Sequence, residues 1–143
     1  MVEVVRFKKE HLSELKEHVF GLSVKKNISS QQLENLENRN HSYTVIKEGR
    51  VLACAGITEF WPGRGEAWAL LDKDIGPLLI DVSREVKKFL DEVPIKRIEA
   101  IVYTDFIEGI RWVKLLGFKL ESPCMKAYGR NGKDCMLFSR VKE

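Results

Sequence analysis

The chain has 143 residues, 44% of them hydrophobic and 31% charged, with a net charge of +3. Chains divide into several domains only beyond roughly 250 residues, so residues 1–143 read as a single domain around one core. Apolar content on this scale argues against a disordered chain, and Lys and Arg interleaved with Asp and Glu argue against the basic stripe of a nucleic-acid binder.

Charged residues start at Glu3 and continue through Arg6, Lys8 and Lys9, which leaves no apolar core for a signal peptide. No apolar run approaches the roughly 20 residues that cross a bilayer. The expectation is a cytoplasmic protein with neither a membrane nor a nucleic-acid partner. Cys54, Cys124 and Cys135 sit among apolar neighbours, form no CxxC pair and have no His cluster beside them. They read as reduced structural thiols, and no metal site is expected.

In chain order, Val2 to Phe7 is a short strand. Leu12, Leu15, Val19 and Leu22 then recur at three- and four-residue spacing, which predicts a helix over Lys8 to Gly21. Ser29 and Gln32 have capping-box spacing and open a second, polar helix through Leu33 and Leu36. Tyr43–Ile46 and Val51–Phe60 flank Glu48-Gly49, a hairpin signal. The turn Pro62–Gly65 leads to a third strand, Glu66–Leu71. Pro77 to Val93 is the clearest helix: Leu78, Val82, Val86, Phe89, Leu90 and Val93 form one stripe, and Pro77 suits a first helical position. Ile98–Tyr103 is a strand apolar on both faces. Phe106–Leu116 is a last helix closed by Gly117. Phe118–Leu120 and Cys135–Val141 are the final strands, with a turn at Gly129–Gly132. The order β-α-α-β-β-β-α-β-α-β-β places a helical crossover before Ile98–Tyr103, which predicts a parallel pair inside a mostly antiparallel sheet.

This order resembles the GNAT (GCN5-related N-acetyltransferase) fold over nearly the whole chain. The most specific local piece is Phe106 to Phe118, which looks like the family's helix ending in a Lys-Leu-Gly-Phe-like run. Gly65–Leu71, Arg111-Trp112 and the Tyr128–Asp134 tail look like a phage-encoded branch that includes virion-assembly and internal virion proteins. The resemblance implies an α/β (α+β) domain of about seven strands and about four helices. It also implies acetyl-CoA as co-substrate, an amine acceptor that is a small molecule or a protein, and a monomer or homodimer. For the phage branch it implies a phage structural or host protein as partner, in the bacterial host cytoplasm. In the family, the strand before the long central helix splays from its neighbour. The pantetheine arm pairs with its exposed backbone, and pyrophosphate rests on N–H groups at the helix start, where the helix dipole favours negative charge. Carried to this chain, the cofactor-binding stretch is Leu70, Leu71, Asp72, Lys73, Ile75, Gly76 and Leu78. The family's Arg/Gln-x-x-Gly-x-Gly/Ala turn is here Leu71-Asp72-Lys73-Asp74-Ile75-Gly76-Pro77, with two carboxylates and one proline in the cradle.

Amine acetylation needs a group that takes the ammonium proton and donors for the thioester oxyanion. Glu59 and Glu66 are the candidate bases. Glu66 is preferred because it shares a strand face with Trp68 and Leu70, and an indole beside a carboxylate raises its pKa by desolvation. Many members of the family place an acidic Tyr four residues before the helix-ending glycine. Val113 stands there, so Tyr103 is the substitute candidate. Trp61 and Trp68 are candidates for an acceptor pocket, Trp112 for packing under the sheet, and Arg64 and Arg111 for anion recognition or ion pairing. His11 and His18, seven apart on the predicted first helix, share a face without a third ligand. The expected function is acetyl-CoA-dependent N-acetyl transfer to a primary amine. The alternatives are a catalytically inactive GNAT-shaped phage protein in virion assembly or host interaction, and an acyl-binding module.

Overall fold

Near-continuous buried runs between 42 and 72 build three strands, covered on both faces, and these form the centre of one sheet. The computed structural model describes residues 2–15, the backbone of 18–20, and 41–143. The strands are β1 (Glu3–Arg6), β2 (His18–Phe20), β3 (Ser42–Lys47), β4 (Arg50–Trp61), β5 (Arg64–Asp72), β6 (Arg97–Tyr103), β7 (Lys119–Met125) and β8 (Cys135–Val141). Two α-helices, α1 (Leu79–Glu92) and α2 (Ile107–Leu115), complete the described elements, with single 3-10 segments at Lys9–Glu14, Gly76–Leu78 and Arg130–Gly132. The sheet runs β1-β3-β4-β5-β6-β8-β7, and β2 joins β5 off this path. Every pairing is antiparallel except β5 with β6, the parallel pair that the crossover through α1 requires.

The β3–β4 hairpin closes as its sequence predicts. Lys47 pairs with Arg50, and Glu48 and Gly49 between them have φ of 50° and 79°, the type I′ conformation that matches strand twist. β7 extends past the predicted Leu120 to Met125. It tolerates Pro123 because it is an edge strand whose register slips twice, between Leu120 and Ser122 and between Ser122 and Met125.

The first predicted helix does not form. Lys9–Glu14 is a 3-10 turn, and His18–Phe20 pairs with β5 as a strand. Two of those three residues are β-branched or aromatic and suit a pleated edge, so the partner strand overrides the helical spacing. Consequently His11 and His18 do not share a helix. His11 Nδ1 lies 2.7 Å from Thr44 Oγ1 and 3.1 Å from the Lys8 amide. The predicted helix at 29–36 lies outside the described residues, so two α-helices, not four, are described. Cys54 and Cys135 are buried, but Cys124 is exposed, against the expectation for all three.

β5 is the hub of the core. Ala67, Ala69 and Leu71 point to one face, where they join Val82, Val86 and Leu90 of α1 and Trp112 and Val113 of α2. Trp68 and Leu70 point to the other, against Phe7, Leu15, Val51 and Cys54. The Trp68 and Phe7 rings meet edge to face with centroids 5.5 Å apart. Trp112 donates from Nε1 to Ser83 Oγ at 2.8 Å, tying α2 to α1 and partnering both buried polar groups.

The end of α2 is a Schellman motif. The Phe118 amide donates to the Val113 carbonyl and the Gly117 amide to the Lys114 carbonyl, both at 3.0 Å. Gly117 has φ of 94°, and a Cβ there would also stand 3.2 Å from Arg140 Nε. Gly117→Ala is therefore expected to cost about 1–2 kcal/mol, read as a lower urea midpoint at unchanged slope.

Candidate active site

A strand has two edges, and the partners of β5 define what each is doing. β4 follows one edge from Arg64 (opposite Trp61) to Leu71 (opposite Ala53). On the other edge, β6 pairs only with the first residues: Arg64 with Arg97, Gly65 with Ile98 and Glu66 with Glu99. β2 takes the far end of that same edge, with Phe20 opposite Leu70, Val19 opposite Leu71 and His18 opposite Asp72. Between them, among the described residues, Ala67, Trp68 and Ala69 pair with neither, a stretch of about 10 Å along the strand. β5 and β6 are thus joined at their starts and part beyond Glu66.

The join is held by charge. Glu99 is buried, with 6% of its surface exposed. Arg64 donates to both its oxygens, at 2.9 and 3.1 Å, and Arg97 Nε adds a third bond at 2.7 Å. Arg97 then forks onto Glu121 at 2.7 and 2.9 Å, and Ser139 bonds the same carboxylate. One chain of charge-assisted bonds therefore links β5, β6, β7 and β8 at the closed end of the splay. Arg64 keeps Glu99 below the ordinary carboxylate range, with Arg97 reinforcing it. Arg97 and Ser139 bring Glu121 down to about 2. The sequence carried one sign of this network, a lone carboxylate inside the apolar run Ile98–Val102.

The candidate residues fall in different places. Glu66 is half-buried on the Trp68 face, opposite Thr58 across the β4–β5 ladder, directly before the gap. The Thr58 Oγ1 is buried without a hydrogen-bond partner. Glu59 pairs with Gly65, one step out of phase with Glu66, so the two carboxylates belong to opposite faces. Glu59 accepts from the Gly63 amide at 3.1 Å and lies 3.8 Å from His41 Nε2. Tyr103 ends β6, about 13 Å along the strand from Glu99, the register partner of Glu66. The Lys133 ammonium lies 4.9 Å from the centroid of its ring. Trp68 is buried, and Trp61 is exposed at the hairpin tip with the Arg64 guanidinium 4.7 Å above its ring. Val113 is fully buried core.

At the other end of β5, the turn toward α1 closes on itself. Ile75 N–H donates to the Asp72 carbonyl at 3.2 Å and Leu78 N–H to the Ile75 carbonyl at 3.1 Å. Leu79 N–H donates to the carbonyls of Gly76 and Pro77. Arg50, a residue no sequence motif marks, bonds Asp72 Oδ2 through Nε at 3.1 Å and Nη2 at 2.5 Å, and also reaches the Asp74 carbonyl at 3.0 Å. Arg50 and Asp72 are 22 residues apart, so no local pattern couples them.

The fold as a whole is shared with known structures. An acetyltransferase of the GNAT family from Streptococcus pneumoniae matches at a TM-score of 0.68, with 11% identity, over 99% of this chain and 100% of that one. Ard1 from Thermoplasma volcanium matches at 0.75, with 14% identity, over 99% and 98%. The IAA acetyltransferase from Bacillus cereus matches at 0.71, with 14% identity, over 99% and 100%. The fold is that of the GNAT acetyltransferases. No family model and no curated protein matches the sequence.

The GNAT fold implies acetyl-CoA, and the residues present do not fit its nucleotide end in this arrangement. The backbone edge of Leu70, Leu71 and Asp72 is paired with β2. The amides of Ile75, Leu78 and Leu79 are engaged by the turn's own carbonyls, and Pro77 has none. Asp72 is buried, and its Oδ1 has no partner there, so a phosphate placed beside it would meet a bare carboxylate oxygen. The stretch Ala67–Ala69, by contrast, keeps one edge unpaired by β2 and β6.

The charge chain at the closed end has a pH signature. Glu99 and Glu121 are lowered in the folded protein, so the unfolded chain binds more protons in acid. Their contribution is complete above the unfolded carboxylate value of about 4.3 and fades as pH falls toward the Glu121 value of about 2. Urea midpoints are expected to drop across that window. Arg97→Met should lower the midpoint at pH 7 and flatten the dependence, and an equally steep fall in the variant would contradict the assignment.

Proposed function

We propose that this chain is an N-acetyltransferase that moves an acetyl group from acetyl-CoA directly to a primary amine. The observation that carries the reading is the parting of β5 from β6 immediately after Glu66, which leaves Ala67–Ala69 unpaired by either strand beside a half-buried carboxylate. When bound, acetyl-CoA would supply the acyl thioester. The chain's own contribution is the placement of proton and charge. Glu66 is assigned the proton of the incoming ammonium, which frees the nitrogen lone pair for attack. Backbone N–H groups along the edge that, among the described residues, neither β2 nor β6 pairs are assigned as the fixed donors that an acyl oxygen needs as negative charge develops on it. Glu59 is not assigned chemistry, because its carboxylate is engaged at the hairpin turn and belongs to the other face. Tyr103 is left out as well, being distant from Glu66 along β6. The acceptor is a small-molecule or protein amine, and the likeness to acetyltransferases of low identity supports the reaction class rather than a substrate.

Thiol release from acetyl-CoA across a panel of primary amines and N-terminal peptides tests the proposal. Glu66→Gln is expected to lower kcat by about 100-fold, the usual scale for a lost general base, with the fold retained. Equal kcat for the two proteins would remove Glu66 from the chemistry. A protein that binds acetyl-CoA but acetylates no amine in the panel would instead be an acyl-binding module, and one that neither binds nor reacts would be a GNAT-shaped protein of non-catalytic role.

A further inference from the structure

We infer that the groove between α1 and the β1–β3 edge of the sheet is a binding site for a small primary ammonium with an apolar body, separate from the Glu66 site. The inference stands independently of the transfer reading. On α1, Glu85, Lys88, Phe89 and Glu92 follow one another at three- and four-residue spacing from Glu85 onward and share a helix face. That face flanks the stripe of Val82, Val86 and Leu90 that packs on the sheet. Tyr43 on β3 lies on the same side of the sheet as Val45, and Val4 of the edge strand β1 stands opposite Val45 in the ladder. Together these side chains line a groove of about 330 Å³, which falls within the roughly 300–1,000 Å³ of small-molecule clefts.

The floor of the groove is aromatic, with the rings of Tyr43 and Phe89 tilted against each other at a centroid distance of 4.6 Å. Tyr43 is only 6% exposed, and among the described residues its hydroxyl has no hydrogen-bond partner. A buried hydroxyl in that state costs free energy that the fold itself does not recover. Burial, and after it the charge of Glu85, holds the phenol protonated far above its ordinary range, which places the hydroxyl toward the wall that Glu85 forms. Neither Glu85 nor Glu92 takes an ion pair among the described residues. An entering anion would therefore meet two carboxylates against the single ammonium of Lys88. A primary ammonium carries three N–H donors and can serve the Tyr43 oxygen and the Glu85 carboxylate together. The ring faces attract the same charge, and the apolar body lies against Phe89 and the exposed Val4. Behind the ring pair, a small void against Ala55, Gly56 and Ala67 gives the rings room to yield as the ammonium reaches the hydroxyl.

Titration of the parent protein with phenylethylammonium, phenylethanol and phenylacetate, followed by backbone amide chemical shifts, tests the site. The ammonium is expected to move amides at 42–43 and 85–92 and to bind about tenfold more tightly than the alcohol, while phenylacetate moves none of them. Glu85→Gln should weaken the ammonium about tenfold, and Glu66→Gln should leave these shifts as they are. Tyr43→Phe separates a ligand group from a structural one. It should weaken the ammonium about fivefold and at the same time raise the urea midpoint, because it removes a buried hydroxyl without a partner. Equal binding of ammonium and alcohol, or unchanged affinity in both Glu85→Gln and Tyr43→Phe, would overturn the site. Shifts confined to 66–69 would also overturn it and leave the transfer reading standing. Groove shifts as expected, in a protein that acetylates no amine, would overturn the transfer reading alone.

Discussion

The buried carboxylate of Glu99 is the constraint on which the rest of this sheet depends. A carboxylate taken out of water is tolerated only when its lone pairs are filled by donors. Here they come from Arg64 on β5 and from Arg97 on its own strand. Because Arg64 and Arg97 are also register partners, the same three residues fix the parallel pairing of β5 with β6 and its phase. Antiparallel ladders can be set by a hairpin turn, as at Glu48-Gly49, but a parallel pair has no turn to set it. The charge cluster does that work, and it does so at one end only. The remainder of each strand is left to follow its own twist and its own helix, and a wedge results.

What lies in the wedge follows from residue size and alternation. Ala67 and Ala69 present methyl groups to the α1 face, while Trp68 fills the opposite face against Phe7. Among the described residues, the length of β5 between its pairings with β6 and β2 is covered above and below, and neither of those two strands pairs its edge there. This is the reverse of an ordinary edge strand, which is exposed on its edge because it is peripheral. Here a strand in the middle of the sheet has a stretch that, among the described residues, neither β6 nor β2 pairs, and a carboxylate sits at the point where pairing with β6 stops.

Much of this was legible in the sequence, and the reasons differ by element. The stripe of α1, the hairpin at Glu48-Gly49 and the glycine end of α2 are written in nearest-neighbour spacing, and each appears where expected. The parallel pair was legible because a crossover helix leaves no simpler connection. Residues 8–21 were misread because Leu12, Leu15 and Val19 satisfy a helical period, whereas the available edge of β5 selects a strand for 18–20. A free edge is a property of the folded sheet and has no local trace. The same holds for Arg50 with Asp72, for Arg64 with Glu99, and for the phase that sends Glu59 and Glu66 to opposite faces. That last point depends on the register shift between Glu59 and Trp61, which no propensity argument locates.

The three thiols give this fold a chemical clock. Burial pushes the Cys54 thiol up to about 12, and burial likewise raises that of Cys135, so neither offers appreciable thiolate at neutral pH. Cys124, on the edge strand, is exposed and stands 3.6 Å from an Asp134 oxygen. An alkylating reagent therefore meets one accessible sulfur in the native chain and three in the opened chain. The second and third equivalents can enter only through excursions that separate β4 from its core and β8 from β6. Their rates would report the opening of the two halves of the sheet separately, on either side of the wedge, in a protein that needs no added probe.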